Sequence, residues 1–171
     1  LSCAFGDSKI PADFISSTKV RCIAPPHRPG SVSLVVSNGD GKTDAAQRVV
    51  FEYFSVPLFT RLVPSFGVVV GGTEVVIIGT NFPHGQILCR FGLAGTWATY
   101  VNASALACIA PRNKVASKVP VLISFNELEF METKLMYEYA PAPVVSVLSP
   151  AVGPANGGTK VAVTGTNSRS D

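Results

Sequence analysis

Short apolar or alternating stretches, separated by Gly, Pro and Asn turns, run along the whole chain. The pattern is clearest between residues 57 and 140, where it favours short β-strands. The strands are predicted near residues 58–63, 73–79, 86–92, 96–101, 104–109, 119–125 and 130–139. No segment has the 3.6-residue apolar period of an amphipathic helix. About seven short strands in one such stretch predict an all-β sandwich.

The sequence repeats itself with a period of 86 residues. The matching stretches are Cys3–Gly6 with Cys89–Gly92, Cys22–Pro25 with Cys108–Pro111, Phe51–Tyr53 with Tyr137–Tyr139, and Gly71–Thr73 with Gly157–Thr159. So many matches in one register indicate a tandem array. We predict the C-terminal part of a first repeat in residues 1–54, a complete repeat in 57–140, and the N-terminal part of a third in 143–171.

The predicted repeats are joined by short segments that contain proline, Val56-Pro57 and Ala140-Pro141-Ala142-Pro143. Proline-containing linkers are stiffer than Gly- or Ser-rich ones. We therefore expect each join to hold its two neighbouring repeats at a restricted angle.

The stretch from Gly67 to Thr73 has the outline of a phosphate-binding loop, with four residues between Gly67 and Gly72. Such a loop needs a Lys after its last Gly and a helix whose N-terminus faces the anion. Here the acidic Glu74 follows Thr73 and begins a strand pattern instead. We predict a tight turn in which Gly supplies positive φ. Asn38-Gly39-Asp40-Gly41 is a second predicted turn, at the tip of a hairpin.

Composition excludes several classes of protein. Apolar residues make up 47% of the chain and charged residues 15%, so it can bury a core and is not intrinsically disordered. The net charge of +3 is small and the Lys and Arg residues are scattered, which disfavours nucleic-acid binding. No apolar run reaches the roughly 18 residues of a transmembrane helix. The chain begins at Leu1 without a signal peptide, so we expect an internal piece of a longer protein.

No group of residues indicates an active site. His27 and His84 are the only histidines and are predicted to lie in exposed loops, away from a nucleophile and an orienting acid. Asp40 and Asp44 near the predicted hairpin could bind a calcium ion, but turn chemistry explains them as well. We predict no catalytic residue, no cofactor and no metal site, and therefore a protein that is not an enzyme.

The complete repeat carries a set of motifs in a fixed order. They are Pro64-Ser-x-Gly67, Gly71-Gly72-Thr73, Gly79-Thr80-Asn81-Phe82, Cys89-x-Phe-Gly92, Cys108-Ile-Ala-Pro111 and Tyr137-Glu-Tyr139. This set resembles the IPT/TIG domain, an immunoglobulin-like β-sandwich of the E-set type. The family occurs in plexins and the hepatocyte-growth-factor receptor family, in fibrocystin-like proteins, in some transcription factors and in some starch-acting enzymes. The resemblance covers nearly the whole chain and ends after Asn167, where Ser168 replaces the expected Phe.

The resemblance implies one disulfide within each repeat, Cys3 with Cys22 and Cys89 with Cys108. Each would close a loop of about 20 residues and stabilise the fold by roughly 3 kcal/mol. Buried free thiols are the alternative, since the spacing suits neither a zinc knuckle nor a redox Cys-x-x-Cys motif. Paired cysteines favour an oxidising compartment and hence an extracellular or cell-surface location. Asn102-Ala-Ser104 is a possible N-glycosylation site.

The leading hypothesis is a rigid, non-catalytic segment of a larger cell-surface or secreted protein. It would space the neighbouring repeats and bind a protein or glycan ligand, with the basic loops Pro25–Gly30 and Arg112–Lys118 as first candidates for contact. One alternative is a DNA-binding or dimerisation module of a nuclear transcription factor. Another is an accessory domain of a polysaccharide-acting enzyme, which needs exposed aromatic rings. The single tryptophan, Trp97, is predicted to pack inside its sandwich.

Overall fold

The computed structural model describes residues 1–38 and 49–167. These residues form sixteen β-strands, and none of them belongs to a helix. Accordingly, this part of the chain offers no long apolar helix that could cross a membrane. The chain divides into two compact units, Leu1–Val56 and Pro57–Asp171. The prediction of an all-β fold is confirmed.

The first unit contains six short strands in two antiparallel sheets. The strands are β1 (Ser2–Phe5), β2 (Ser8–Pro11), β3 (Asp13–Ser16), β4 (Lys19–Arg21), β5 (Gly30–Ser37) and β6 (Val49–Tyr53). One sheet has the order β2-β1-β5-β6, and β3 pairs with β4 in the other. Phe5 of β1 packs edge-on against Phe51 of β6 at 5.2 Å between ring centroids. This aromatic contact joins β1 and β6, the first and last strands of the unit in chain order.

The second unit contains ten strands. They are β7 (Leu58–Val63), β8 (Phe66–Val68), β9 (Glu74–Thr80), β10 (Ile87–Phe91), β11 (Ala94–Asn102), β12 (Ala105–Ile109), β13 (Ser117–Ser124), β14 (Met131–Ala140), β15 (Val144–Ser149) and β16 (Ala162–Thr166). Strands β7 to β14 form one sheet in the order β7-β9-β12-β11-β10-β13-β14-β8. Only β14 and β8 pair in parallel; the other neighbours are antiparallel.

The positions of β7 and β8 explain how this single sheet becomes a sandwich. The two strands lie at opposite ends of the strand order, yet only Pro64 and Ser65 separate them in the chain. The sheet therefore folds back on itself and brings its two edges together. Strand β11 passes from one layer to the other, because Ala94–Ala98 pair with β10 whereas Ala98–Asn102 pair with β12. The two layers are β7-β9-β12-β11 and β10-β13-β14-β8.

The core of this sandwich is built from alternate positions of its strands. In β9 and β10 every second residue is buried, as expected for strands with one face on a core. The buried side chains are Leu62, Val75, Ile77, Phe82, Ile87, Cys89, Phe91, Leu106, Cys108, Ala110, Val121, Ile123, Tyr137 and Tyr139. Burying one large apolar side chain contributes roughly 1.5–3 kcal/mol, so this alternation supplies most of the stability of the repeat.

All seven strands predicted between residues 57 and 140 are present, with ends within two residues of the prediction. Strand β8 was not predicted, because its three residues carry no pattern of their own and its pairing partner β14 lies about 70 residues away. The predicted glycine turn is confirmed: Gly71 and Gly72 have φ values of 79° and 86°. The predicted hairpin turn at 38–41, Asp40, Asp44 and Ser168 lie wholly or mostly outside the described residues.

Strands β15 and β16 form an antiparallel hairpin that matches β7 and β9 at the 86-residue period. In the complete repeat, Leu62, Val75 and Ile77 are 8%, 0% and 0% exposed. Their counterparts in the hairpin, Leu148, Val161 and Val163, are 49%, 47% and 58% exposed. The same apolar pattern is therefore present in the hairpin without a second layer over it among the described residues.

The 86-residue spacing between equivalent residues changes by one residue within the two larger sheets. Cys3 pairs with Val36, whereas Cys89 pairs with Ile123, so β5 and β13 correspond at a distance of 87 residues rather than 86. Buried Ser37 and buried Ser124 keep the same 87-residue spacing. From its first cysteine to the start of β13, the complete repeat is thus one residue longer than the first unit is from its first cysteine to the start of β5.

Candidate interaction surfaces

The structure contains two disulfides, one in each unit. Cys89 of β10 is bonded to Cys108 of β12, with a Cα–Cα distance of 6.5 Å, and Cys3 of β1 to Cys22, just after β4, at 6.4 Å. Cys89 and Cys108 are 0% and 1% exposed, so their sulfur atoms are part of the core. Because β10 and β12 belong to different layers, the Cys89–Cys108 bond ties the two layers of the sandwich together.

The backbone amides of Gly71 and Gly72 in the glycine turn both donate hydrogen bonds within the domain. The N–H of Gly71 donates to the carbonyl of Val68 (3.0 Å), and that of Gly72 donates to the carbonyl of Ala110 (2.9 Å). In return, the N–H of Ala110 donates to the carbonyl of Thr73 (2.8 Å). A phosphate-binding loop instead directs its amides at the anion. This turn therefore fastens β9 to the end of β12, in agreement with the prediction of a structural turn.

The loop Arg112–Lys118 is held in one conformation by Asn113. Its backbone N–H donates to the carbonyl of Val69 at 2.9 Å. Its side-chain Nδ2 donates to the carbonyl of Val115 and to the hydroxyl of Ser117, both at 3.1 Å. Since these bonds link both ends of the loop to the sandwich, a ligand would meet a backbone that is already arranged.

The basic side chains of this loop differ in their surroundings. Lys118 forms an ion pair with Glu138, at 3.6 Å between Nζ and Oε2, although the lysine side chain remains 68% exposed. Arg112 and Lys114 are exposed, and no ion pair joins either of them to another described residue. The loop thus presents two positive charges to solvent on an ordered backbone.

The corresponding loop of the first unit, Pro25–Gly30, is organised around a ring contact. The ring of His27 stacks on Tyr53 at 4.9 Å between centroids, and its Nδ1 lies 2.7 Å from the carbonyl oxygen of Arg28. His84, in the second unit, meets the edge of Tyr100 at 4.9 Å. Both histidines are exposed, as predicted. Each pairs with a tyrosine rather than with a nucleophile and an acid.

Trp97 lies on the outside of its sandwich and is 57% exposed, so the prediction that it packs inside is wrong. The hairpin between β10 and β11 places it opposite Leu88, one residue away from the inward-facing Ala98. The register Phe91 with Ala94, set by a two-residue turn, was the signal that could have found this position. An aromatic ring is therefore available to a ligand on this side of the sheet.

Trp97 belongs to a larger apolar surface, which we call the outer apolar face. It consists of Val76, Ile78, Trp97, Ala105, Ala107 and Ile109, which are apolar residues on the solvent side of β9, β11 and β12. The polar Thr99 of β11 lies among them, opposite Ala107. Cross-strand pairing joins Ala105 to Ile78 and Ala107 to Val76, so the face is continuous across β9 and β12, and Trp97 lies beyond Thr99 on β11. Glu74 is the only charged residue in these three strands. Contiguous exposed apolar surface on a folded domain usually marks a contact site.

Asn102 lies at one corner of the outer apolar face. It is exposed, and its Oδ1 accepts a hydrogen bond of 2.8 Å from the backbone N–H of Ser104. A register shift after Tyr100 makes Asn102 pair with Ala105, so their side chains lie on the same face of the sheet. That face is the outer one, because Ala105 alternates with the fully buried Leu106. Glycosylation of Asn102 stays a prediction.

Two tyrosines near the end of β14 have perturbed hydroxyl groups. The Tyr139 hydroxyl donates a 2.7 Å hydrogen bond to the carbonyl of Pro111. Burial raises the pKa of Tyr139 to about 12, with a smaller rise from the neighbouring Tyr137. Burial likewise raises the pKa of Tyr137. Both rings are core residues, so these shifts reflect packing. Among residues 1–38 and 49–167, no three His, Cys, Asp or Glu side chains are grouped closely enough to hold a metal ion.

The arrangement of disulfide, glycine turn and closing Tyr-Glu-Tyr strand matches a known family. The family model of the IPT/TIG domain matches residues 1–53 and 57–137. The chain belongs to the IPT/TIG domain family. The resemblance inferred from the sequence motifs is confirmed.

Several relatives are plexins. Plexin-A3 of Homo sapiens is 29% identical over 170 residues, which cover 94% of this chain and 9% of the plexin. The calmodulin-binding transcription activator 6 of Arabidopsis thaliana is 41% identical over 64 residues, 37% of this chain and 8% of that protein. This chain therefore spans only about a tenth of the length of these relatives.

The solved structure of the full extracellular region of plexin A4 has the same fold, with a TM-score of 0.63 and 18% identity. The match covers 96% of this chain and 15% of that one. The two disulfides and the similarity to plexins point to an extracellular or cell-surface ectodomain.

Proposed function

We propose that this chain is a non-catalytic, tandem IPT/TIG segment of a larger cell-surface or secreted protein, acting as a rigid spacer and as a binding surface. The observation that carries this proposal is the alignment with a plexin over 94% of the chain. An alignment of this length covers both units, Leu1–Val56 and Pro57–Asp171, and so supports a tandem arrangement over a single isolated domain.

The proposed organisation has three parts: the C-terminal part of a repeat in residues 1–54, a complete repeat in 57–140 and the N-terminal part of a repeat in 143–171. The 86-residue period supports it, as does the correspondence of β15 and β16 to β7 and β9. Asn167 supports it as well: its Nδ2 donates a 3.1 Å hydrogen bond to the carbonyl of Ala142, which ties the hairpin to its own proline-rich join.

A non-catalytic role is supported by the contacts of groups that an enzyme would need to keep free for a substrate. The amides of Gly71 and Gly72 are bonded to carbonyls of their own domain. His27 and His84 contact tyrosine rings. A spacer needs none of these groups, whereas it does need layers that resist separation, which the Cys89–Cys108 bond provides.

The binding role is assigned to a protein or glycan ligand at the cell surface. The exposed Arg112 and Lys114, on a backbone fixed by Asn113, suit an acidic group of such a ligand. The nuclear alternative rests on the transcription activator that shares 64 residues with this chain, and the disulfides argue against it.

The spacer role is tested by small-angle X-ray scattering on the secreted chain and on a variant with Pro141→Gly and Pro143→Gly. We expect the variant to show a broader distribution of interatomic distances, because glycine allows more backbone conformations at the join than proline does. Ala142→Gly is the matched control that keeps both prolines. A wild-type profile as broad as that of the double variant would contradict the spacer role.

The basic loop is tested with a heparin-derived oligosaccharide as a polyanionic probe. We expect Lys114→Glu to weaken its binding by about 5- to 10-fold at low salt, since the substitution reverses one exposed charge at the contact. Lys160→Glu makes the same change of charge on the β15–β16 hairpin and serves as the control. Equal losses in the two variants would reject the loop as the contact and leave the spacer role untouched.

A further inference from the structure

We propose that Asn102 carries an N-linked glycan and that this glycan covers the outer apolar face of the complete repeat. The proposal joins two observations that are independent of each other: an exposed acceptor sequence, Asn102-Ala103-Ser104, and a continuous apolar surface on the same side of the sheet. It rests on passage through the secretory pathway and not on the spacer role.

The acceptor asparagine is presented in a suitable way. Asn102, Ala103 and Ser104 are all exposed in the turn between β11 and β12. The turn is held against the end of β9, because Gly79 and Phe82 donate backbone hydrogen bonds of 3.0 Å to the carbonyls of Ser104 and Ala103. The Oδ1 of Asn102 is engaged by the N–H of Ser104, and Nδ2, the atom that is glycosylated, forms no hydrogen bond to another described residue.

The transfer is a substitution at the anomeric carbon of the sugar. A bond forms between this carbon and Nδ2 of Asn102, while the bond from the carbon to the pyrophosphate of a lipid-linked oligosaccharide breaks. The lipid pyrophosphate leaves with the electron pair, and Nδ2 loses one proton. The secretory pathway supplies both the donor and the transferase, so the chain has to contribute only an accessible amide.

The register of the sheet places the glycan over apolar residues. Asn102 is opposite Ala105, which is opposite Ile78, so two strand spacings of about 4.8 Å separate Asn102 from Ile78. In the other direction Trp97 lies five residues along β11, at most about 17 Å away, with the polar Thr99 between it and Asn102. Sugars present apolar C–H faces to aromatic and aliphatic side chains. A branched oligosaccharide attached at this corner can therefore cover surface that would otherwise stay in contact with water.

The charge pattern favours a neutral occupant of this kind. The three strands of the outer apolar face contain one charged residue, Glu74, which pairs with Ile109 at the edge remote from Asn102. Arg61, opposite Ile78 on β7, closes the row that begins at Asn102. The face thus offers apolar surface next to the attachment point, and charged groups only at its border.

The first measurement is the mass of the chain secreted from a eukaryotic host. We expect an excess of about 1–2 kDa that peptide N-glycosidase removes, leaving Asp at position 102 in the peptide map. Asn102→Asp and Ser104→Ala should abolish the excess, and Ser104→Thr should keep it. Asn102→Asp also retains an oxygen that can accept the bond from Ser104, so it separates loss of the glycan from loss of the turn.

The second measurement uses Trp97, the only tryptophan of the chain, as a probe of the covered face. We expect acrylamide to quench its fluorescence about half as strongly in the glycosylated wild type as in Asn102→Asp, because covered ring surface excludes the quencher. A secreted wild type without the mass excess would overturn the proposal. A glycan that leaves the quenching equal in both proteins would overturn the covering role.

Discussion

The Cys89–Cys108 disulfide should be the largest single contribution to the stability of the complete repeat, and this can be measured. The two cysteines are 19 residues apart, so the bond closes a loop of 20 residues in the unfolded chain. Loop-closure entropy then gives about 3 kcal/mol. Replacing both cysteines by Ala also removes two sulfur atoms from positions that are 0% and 1% exposed, at about 1 kcal/mol each. We expect the double variant to lose about 5 kcal/mol.

Urea unfolding followed by Trp97 fluorescence is the appropriate assay, because this sole tryptophan reports only on the complete repeat. Reduced wild-type protein is the control: it loses the loop closure but keeps both sulfur atoms in the core. With a slope of about 1.5 kcal/mol per molar urea, the midpoint should fall by about 2 M on reduction and by about 3 M in the double variant.

The Cys3–Cys22 pair provides a second comparison. It has the same separation of 19 residues, but Cys22 is only half-buried. The stability lost with the loop closure should therefore be the same as for Cys89–Cys108. Replacing Cys3 and Cys22 by Ala should, however, remove less buried packing. Hydrogen exchange at β1 and β5 would measure the stability of this unit without a tryptophan.

If reduction shifts the urea midpoint of the complete repeat by less than about 0.5 M, the loop-closure reasoning for Cys89–Cys108 is wrong.

Two further predictions concern the sandwich itself. Gly79→Ala should cost about 3 kcal/mol or more, because the added Cβ would overlap the carbonyl oxygen of Leu58, whereas Gly95→Ala, whose Cβ meets nothing nearer than 3.8 Å, should change the thermal midpoint little. Tyr139→Phe should cost about 1–3 kcal/mol in urea unfolding, because the carbonyl of Pro111 loses its donor. Since the folded pKa of Tyr139 is about 12, against an ordinary value near 10, its contribution is present below pH 10 and is lost as the pH rises towards 12. Unfolding midpoints across this range should fall more steeply in the wild type than in the Phe variant.

Alternating apolar positions and Gly-rich turns were sufficient to predict the strands of the complete repeat, because each strand has one face on the core. The same pattern could not say which face of β11 is buried. That depends on its register with β10, and a shift of one residue exchanges the two faces, which is why Trp97 was misplaced. Strand β8 depends on a parallel partner far away in the chain, so no local signal marks it. The outer apolar face likewise exists only once β9, β12 and β11 are adjacent.

The parallel pairing of β8 with the end of β14 also determines how the complete repeat responds to tension. Tension applied to the two ends of the chain would reach β7 first, then β8 through Pro64 and Ser65, and would act on the other side through the C-terminal end of β14. The bonds that link these strands include Glu138 N–H to the carbonyl of Ser65 and Val69 N–H to the carbonyl of Ala140. In a parallel pair loaded from opposite ends, the strands slide past each other and all such bonds share the load. An antiparallel pair at the same place would open one bond at a time. In the proposed spacer, this pairing would resist lengthening under tension, and the Cys89–Cys108 bond would limit the extension even if the strands parted.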